Sequence, residues 1–454
     1  MSLAMHALAW CAHAPLLAAG AAAEDAPHAV EAAAATAGAA RDGSSRLLVY
    51  FAVLLLLVLA ASTTARPFLR WMRHPIVATY AGGGWLWLAL GAAIGPNALG
   101  VVGAEAIEQL RPAILVAVGW IGLTIGIQFD PRSLRGIPAI AWRWALLDLA
   151  LSAASALVIV GALVGVWYQV DLTHGAWTAV PVLVLFAVLS GWNPETRSLL
   201  RAPSAAARRL ARLSSGTAAL ASAMLVLVFG TASQFIVRDA MGVPHISWNL
   251  GLVAAVSAPL FAIGGALAIR FLLRRGDWSM SRTLVVVLSL AALSAGVAAQ
   301  LAFSPLVTAM LAGTAVACLP GTLKLSVWRL LSRSERAVAT LFFLLAGAML
   351  AVPGSPWTLA VAVLAGAVRL WGKPLLARAV LGGELAHAGP NRGAVLAGTS
   401  RQAALAIVIA TSGVVEENSP ALRDLLLVAV VAGLAGTLRA VGRAAHEPAR
   451  TEEA

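Results

Sequence analysis

The residues best suited to ion chemistry lie together where a long apolar stretch is interrupted. Gly191 and Pro194 stand inside this stretch with Trp192 and Asn193 between them, and Glu195 follows at once. Proline removes a backbone donor and glycine has a low helix propensity, so we expect the helix to break here. Freed backbone carbonyls, the Asn193 amide and the Glu195 carboxylate would then supply oxygen ligands for a monovalent ion. An ordinary kink is the alternative interpretation.

Hydroxyl groups form a second candidate patch on the next apolar stretch, where Ser214, Ser215 and Thr217 stand close together. Their oxygens can coordinate a monovalent ion, but hydroxyl groups do not exchange protons near neutral pH as a carboxylate can. Much later in the chain, Gly398 opens a polar interruption that includes Arg401, and a second helix break is expected there. These hydroxyls predict ion binding without predicting its coupling to protons.

Two acidic residues fall inside or beside apolar stretches, where an ionisable side chain is costly and is a functional hypothesis by default. Asp148 lies well inside one such stretch and Glu195 beside the first expected break. Asp148 either serves the ion site or forms an ion pair that holds the core helices together. Glu195 is interpreted as a site residue, with a surface pair to Arg197 or Arg201 as the alternative.

Basic residues in apolar stretches set the charge that an ion would meet. Arg369 and Lys373 are four positions apart and share one helix face. Lys373 and Arg143 are expected to reach the membrane surface with their flexible side chains, which leaves Arg369 and Arg401 facing the two acids. Such a core is neutral or slightly positive. Because Na⁺ and K⁺ require oxygen ligands and nearby negative charge, an anion or a neutral solute is an open alternative.

The composition predicts the structural class that must position these residues. Apolar residues make up 60% of the 454 and charged residues 11%, and the apolar residues form stretches near the length that spans a bilayer. These stretches are apolar on every face, whereas barrel strands alternate, so an all-α polytopic membrane protein is expected. We predict thirteen spans, at 47–64, 76–95, 112–129, 138–167, 175–201, 206–236, 249–273, 282–302, 304–319, 336–352, 357–381, 392–413 and 422–440.

The net charge of +12 comes almost entirely from arginines in short loops between the spans. Without aromatic residues interleaved among them, these arginines do not predict a nucleic-acid site. Basic residues instead concentrate in alternate loops, and the positive-inside rule then places the N-terminus outside and the C-terminus in the cytoplasm. The lipid bilayer is therefore the expected surrounding of this chain, and nucleic acid is not an expected partner.

The expected organisation has four parts. Residues 1–23 form a possible signal peptide and 24–45 a disordered exported tail, because the first segment is modestly apolar and the second is rich in Ala, Gly and small polar residues. Residues 46–441 form the transmembrane domain and 442–454 a short cytoplasmic tail. With two cysteines and no phosphate loop, nucleophile elbow or His/Cys cluster, no enzyme activity, cofactor or metal site is expected.

Five segments, taken in order, resemble the monovalent cation:proton antiporter superfamily. Short Gly and Pro patterns recur in membrane helices, but their shared order makes coincidence improbable. The segments are His74 to Val77 with Ile94 to Gly100, Gly119 to Asp130 with Leu134 and Arg135, Leu301 to Leu306 with Leu311 to Gly313, Leu341 to Phe343 with Ala346 and Gly347, and Val368 to Lys373.

The resemblance implies an inverted-repeat fold in which two broken helices, here the fifth and twelfth spans, cross near the membrane midplane. It also implies that Arg369 stands where the superfamily often has a basic residue that neutralises core carboxylates. The chain departs from the superfamily at the two acids that bind cation and proton in turn. Asn193 stands at the first position and Ser215 at the second, within a residue, and neither side chain titrates near neutral pH as the usual acids do.

The function expected from these observations is exchange of a monovalent cation, Na⁺ or K⁺, for protons by alternating access. A bacterial inner membrane is expected from the signal-like start together with the habit of the superfamily, and a homodimer is what the resemblance suggests. Two alternatives remain open. One is an uncoupled transporter or channel for an anion or neutral solute on the same fold, and the other is a transport-inactive membrane sensor.

Overall fold

The computed structural model describes most of the chain from Gly84 onwards. Outside the described residues lie the expected signal peptide, the exported tail and the first span. The described ranges are 84–100, 102–129, 134–163, 175–190, 205–238, 244–273, 280–301, 304–318, 322–350, 356–386, 392–400, 404–417 and 420–446.

Helices make up nearly all of the described residues, which confirms the predicted all-α class. In chain order they are α1 Trp85–Ile94, α2 Ala104–Gln109, α3 Arg111–Gly126, α4 Ala139–Leu163, α5 Gly175–Ser190, α6 Ala205–Gln234, α7 Trp248–Leu273, α8 Met280–Leu301, α9 Pro305–Ala317, α10 Thr322–Ala348, α11 Pro356–Ala367, a π-helix Val368–Gly372, α12 Lys373–Ala386, α13 Arg392–Ser400, α14 Ala404–Glu417 and α15 Pro420–His446.

Two short strands interrupt the helical pattern between α6 and α7. β1 Ile236–Arg238 pairs with β2 Pro244–Ile246 in antiparallel fashion, with Ile236 opposite Ile246. The expected sixth span ran to residue 236, so the sequence did not predict this hairpin. Three-residue strands lie below the length at which alternation of apolar and polar residues can be recognised.

Several helices have the length and apolar composition of membrane spans. Four of the described helices meet both criteria, and shorter apolar helices accompany them. Together they identify a multi-pass membrane protein. The four run over Ala139–Ala162, Arg208–Gln234, Trp248–Ala268 and Pro356–Ala386.

Glycines allow two pairs of helices to pack backbone against backbone. α3 lies against α9, and a Cβ atom added at Gly126 would overlap the carbonyl oxygen of Met310. α1 lies against α10 in the same way, where a Cβ atom at Gly347 would overlap the Leu88 carbonyl. Small residues at helix contacts are the usual means of association in membranes, because lipid gives no hydrophobic drive between helices.

Two of the apolar clusters among the described helices bear on the position of the site. One cluster joins α3, α7, α8, α9 and α10 around Trp120, Leu290 and Leu331. The other joins α4, α6, α12 and α13 around Trp144, Leu210 and Leu381. The second cluster lies among the helices that carry the charged residues of the core.

α5 and α14 are the most deeply buried helical segments near those charges. Every residue from Val184 to Ser190 is buried, as is every residue from Leu405 to Ser412, and the two helices contact each other. α5 ends at Ser190, and α13 and α14 are separate helices on either side of residues 401–403. The expected breaks at 191–195 and around Arg401 fall outside the described residues.

Candidate functional site

The candidate site lies at the C-terminal end of α5. The last carbonyl groups of any helix lack partners within that helix, and they carry the negative end of its dipole. In α5 these carbonyls belong to buried residues, Val188, Leu189 and Ser190, each exposed by 0%. A buried helix end of this kind requires donors or a cation from elsewhere in the structure.

Lys373 supplies one donor at the start of α12. Its Nζ lies 2.9 Å from the Ser190 carbonyl oxygen and 2.8 Å from each carboxylate oxygen of Asp148 on α4. Asp148 is 2% exposed and Lys373 1% exposed. The ammonium group thus joins α4, α5 and α12 at one point inside the bundle.

Arg369 supplies the other donor from within the π-helix. Its Nη1 donates to the Val188 carbonyl at 2.6 Å and to the Leu189 carbonyl at 3.0 Å, and the whole side chain is buried. π-Helical turns are rare and often occur at functional sites. Here the π-helix ends immediately before Lys373, so Arg369 and Lys373 together bind three consecutive carbonyls of α5.

The electrostatic balance at the site is positive. Asp148, Arg369 and Lys373 are the charged side chains buried among the described residues, and two of the three are basic. The partial negative charge of the α5 end offsets part of this excess. Burying such charges is favourable only when each is paired or hydrogen-bonded, and the contacts of Lys373 meet this requirement.

One expectation about this site is wrong. Lys373 was expected to reach the membrane surface, whereas its ammonium group lies inside the bundle. The physical reason is that the Asp148 carboxylate on a neighbouring helix offers two oxygens to the ammonium group. These charge-assisted hydrogen bonds replace the hydration that the ammonium group would otherwise obtain at the membrane surface. The ion pair that was weighed for Asp148 does form, and its partner is Lys373. The sequence signal for an inward-facing Lys373 was its spacing of four residues from Arg369, which places both on one helix face.

The hydroxyl patch on α6 is divided between interior and exterior. Ser214 and Thr217 are buried, at 1% and 0% exposure, whereas Ser215 is exposed. Each hydroxyl donates to the backbone of its own helix, Ser214 to Ala211 and Thr217 to Leu213. Their oxygen lone pairs remain able to accept, which is what coordination of a cation requires.

Of the remaining expected site residues, Gly398 belongs to the part of the chain that the structure describes. Gly398 is buried inside α13, two positions before its last residue Ser400. The others lie outside the described residues, and they are Gly191, Trp192, Asn193, Pro194, Glu195 and Arg401.

Comparison with known proteins finds a match among solved structures and none among family models or curated sequences. No protein-family model and no curated protein matches this sequence. Among solved structures, the chain is similar to the sodium proton antiporter MjNhaP1 from Methanocaldococcus jannaschii at pH 8. The TM-score is 0.62 at 13% sequence identity, and the match covers 88% of this chain and 98% of the other. The chain therefore has the fold of a sodium proton antiporter.

Proposed function

We propose that this protein exchanges a monovalent cation, Na⁺ or K⁺, for protons by alternating access. The observation that carries the proposal is the contact of the Lys373 ammonium with the Asp148 carboxylate and the Ser190 carbonyl. The similarity in fold to a sodium proton antiporter supports it. In transporters with broken helices, the ends of half-helices and their freed carbonyls coordinate the transported cation.

Lys373 holds the place that a transported cation would take. A carboxylate and a backbone carbonyl are oxygen ligands suited to a hard monovalent ion, and here both bind the ammonium group. A cation that binds Asp148 displaces this ammonium. The displaced Lys373, buried without a counter-charge, then releases a proton because an unpaired buried charge is costly. In this way Asp148 binds the cation while Lys373 releases a proton, and the reverse steps restore the ion pair, although Asn193 and Ser215 cannot titrate.

Arg369 has a different role in this proposal. Its guanidinium group binds the Val188 and Leu189 carbonyls and keeps its charge at any physiological pH. It therefore holds the end of α5 in place while Lys373 exchanges. Ser214, Thr217, Asn193 and Glu195 are proposed as further oxygen ligands along the path of the ion, and Ser215 as one at its exposed edge.

Transport measured in proteoliposomes tests the proposal. The purified protein is reconstituted with a pH-sensitive dye inside, and Na⁺, K⁺ or Li⁺ gradients are imposed. Asp148→Asn removes the exchanging carboxylate and keeps its shape. Asp424→Asn is the matched control, because Asp424 lies on α15, accepts a hydrogen bond from Thr358 at 2.7 Å and takes no part in the hydrogen bonds of Lys373 in the described structure.

We expect cation-driven proton movement in the parent and in Asp424→Asn, and none in Asp148→Asn. Equal activity in all three would exclude Asp148 from the exchange. Absence of proton movement with every cation would contradict antiport altogether.

The positive balance of the buried charges favours a second candidate function, uncoupled transport of an anion or neutral solute. Two basic side chains and one acidic side chain are buried among the described residues. Chloride or solute flux that is independent of pH would support this second function. Absence of any flux would support the membrane sensor.

A further inference from the structure

α10 is longer than its apolar part. It runs from Thr322 to Ala348, 27 residues, and at 1.5 Å per residue it is about 40 Å long. Its apolar part is confined to Ala337–Ala348. The first half of α10, residues 322–336, was expected to be a loop before the tenth span at residue 336. It is instead an amphipathic helical extension of that span.

One side of this extension is fixed against the bundle. Val327, Leu330 and Leu331 are buried in the apolar cluster shared with α3, α8 and α9. Trp120 on α3 donates its indole N–H to the Ser334 hydroxyl at 2.9 Å. These contacts set the rotation of the helix about its axis and so determine which residues face outward.

The opposite side carries apolar and basic residues together, and we call it the basic face of α10. Leu325 is 51% exposed, Trp328 is 39% exposed and Arg329 is exposed. In the sequence, Arg333 and Arg336 follow Arg329 at spacings of four and three, the spacing of residues that share one helix face. Glu335 is the single acidic residue of this segment.

We propose that the basic face of α10 binds the headgroups of anionic phospholipids at the surface of the bilayer. Four features support the phospholipid as occupant. The segment continues directly into an apolar part of the same helix, and the distribution of arginines predicts that this end faces the cytoplasm. Arginine binds phosphate oxygens in bidentate fashion, and tryptophan favours the interface between water and hydrocarbon.

The combination of charge and apolar side chains separates this face from an ordinary solvated one. Basic clusters next to the cytoplasmic end of a membrane helix attract anionic lipid, and apolar residues on the same side enter the headgroup region. Contact with the headgroup region would remove the apolar surface of Trp328 and Leu325 from water, which is favourable. The inference does not depend on the transported ion.

Quenching of Trp328 by brominated lipid tests the proposal in the intact protein. The protein is reconstituted in phosphatidylcholine vesicles that contain a small fraction of brominated phosphatidylglycerol, or of brominated phosphatidylcholine at the same fraction. The chain has 15 tryptophans, so the contribution of Trp328 is taken as the difference between the parent and Trp328→Phe. The ratio of the two quenching curves gives the preference for the anionic headgroup.

We expect phosphatidylglycerol to quench Trp328 at a lower mole fraction than phosphatidylcholine. The triple variant Arg329→Gln, Arg333→Gln, Arg336→Gln should lose this preference, by up to roughly fivefold for each arginine removed. The matched control removes three exposed arginines from other helices and loops, Arg135→Gln, Arg212→Gln and Arg378→Gln, and should keep the preference. Equal quenching of the parent by the two lipids, or equal loss in both triple variants, would overturn the proposal.

Discussion

Lys373 and Asp148 are 225 positions apart in the chain, yet the ammonium group of Lys373 lies 2.8 Å from both carboxylate oxygens of Asp148. The same nitrogen also reaches the last carbonyl of α5. One cation therefore pairs with a buried acid and with the last carbonyl of a buried helix end. The arrangement makes Lys373 and Asp148 dependent on each other for stability as well as for the proposed transport.

Replacing Asp148 with Asn should destabilise the fold. The amide keeps the shape of the side chain but leaves the Lys373 ammonium buried without its counter-charge, and breaking one side of a buried pair costs about 3 to 5 kcal/mol. Thermal unfolding of the purified protein in detergent measures the loss. A variant as stable as the parent would show that the buried ammonium does not depend on Asp148.

Removing both charges should cost less than removing one. In Asp148→Asn, Lys373→Met the unpaired Lys373 ammonium is removed and Arg369 keeps its carbonyl acceptors, so the double variant should be more stable than Asp148→Asn alone. The double-mutant cycle, completed with Lys373→Met, gives the coupling energy of the pair. We expect a coupling of about 1 to 3 kcal/mol, as for residues in direct contact. Additive effects would contradict a direct energetic link.

Replacing Arg369 with Gln should loosen the end of α5. The Val188 and Leu189 carbonyls lose their charged donor, and a hydrogen bond from a charged group contributes about 1.5 to 3 kcal/mol. Hydrogen exchange of peptides covering 175–190 should increase, with little change in α1. Arg369→Lys is the conservative comparison, and it should restore part of the protection because it keeps the charge with a single donor group. Unchanged exchange in Arg369→Gln would exclude this role.

Glycine-to-alanine substitutions should distinguish close helix contacts from open positions. Gly126→Ala forces the added Cβ atom against the Met310 carbonyl, which should cost about 1 to 3 kcal/mol because neither backbone can move easily. Gly264→Ala on α7 is the control, since no atom lies within 4 Å of the added Cβ atom. Thermal unfolding should show a clear loss for the first and none for the second. Equal losses would mean that the contact with the Met310 carbonyl does not decide the outcome, because helix propensity by itself favours alanine over glycine.

Replacing Glu195 with Gln should weaken cation affinity and leave the maximal exchange rate almost unchanged. A carboxylate beside the expected break raises the local cation concentration, while the exchange itself is assigned to Asp148. The cation concentration at half-maximal proton movement should therefore rise in the proteoliposome assay. Unchanged transport and pH dependence would remove Glu195 from the mechanism, and complete loss would move the exchange from Asp148 to Glu195.

The sequence alone was enough for the fold class and for most helix positions. Apolar length, together with the placement of Gly and Pro, is a local property, so spans such as 304–319 agree with α9 at Pro305–Ala317. The first half of α10 is a helix that hydropathy of the sequence did not predict. Its charged first half was expected to be a loop, because hydropathy averages over both sides of an amphipathic helix, whereas Val327 and Leu331 are buried on one side only.

The pairing of buried charges was decided by tertiary structure. The sequence identified Asp148 as a costly charge and Arg369 with Lys373 as residues on one helix face. It could not determine whether the flexible Lys373 side chain reaches water or an acid, because both outcomes satisfy the same local pattern. Only the packing of α4 and α5 against α12 brings the carboxylate and the Ser190 carbonyl within 2.9 Å of one ammonium group, and burial then makes that pair the lower-energy choice.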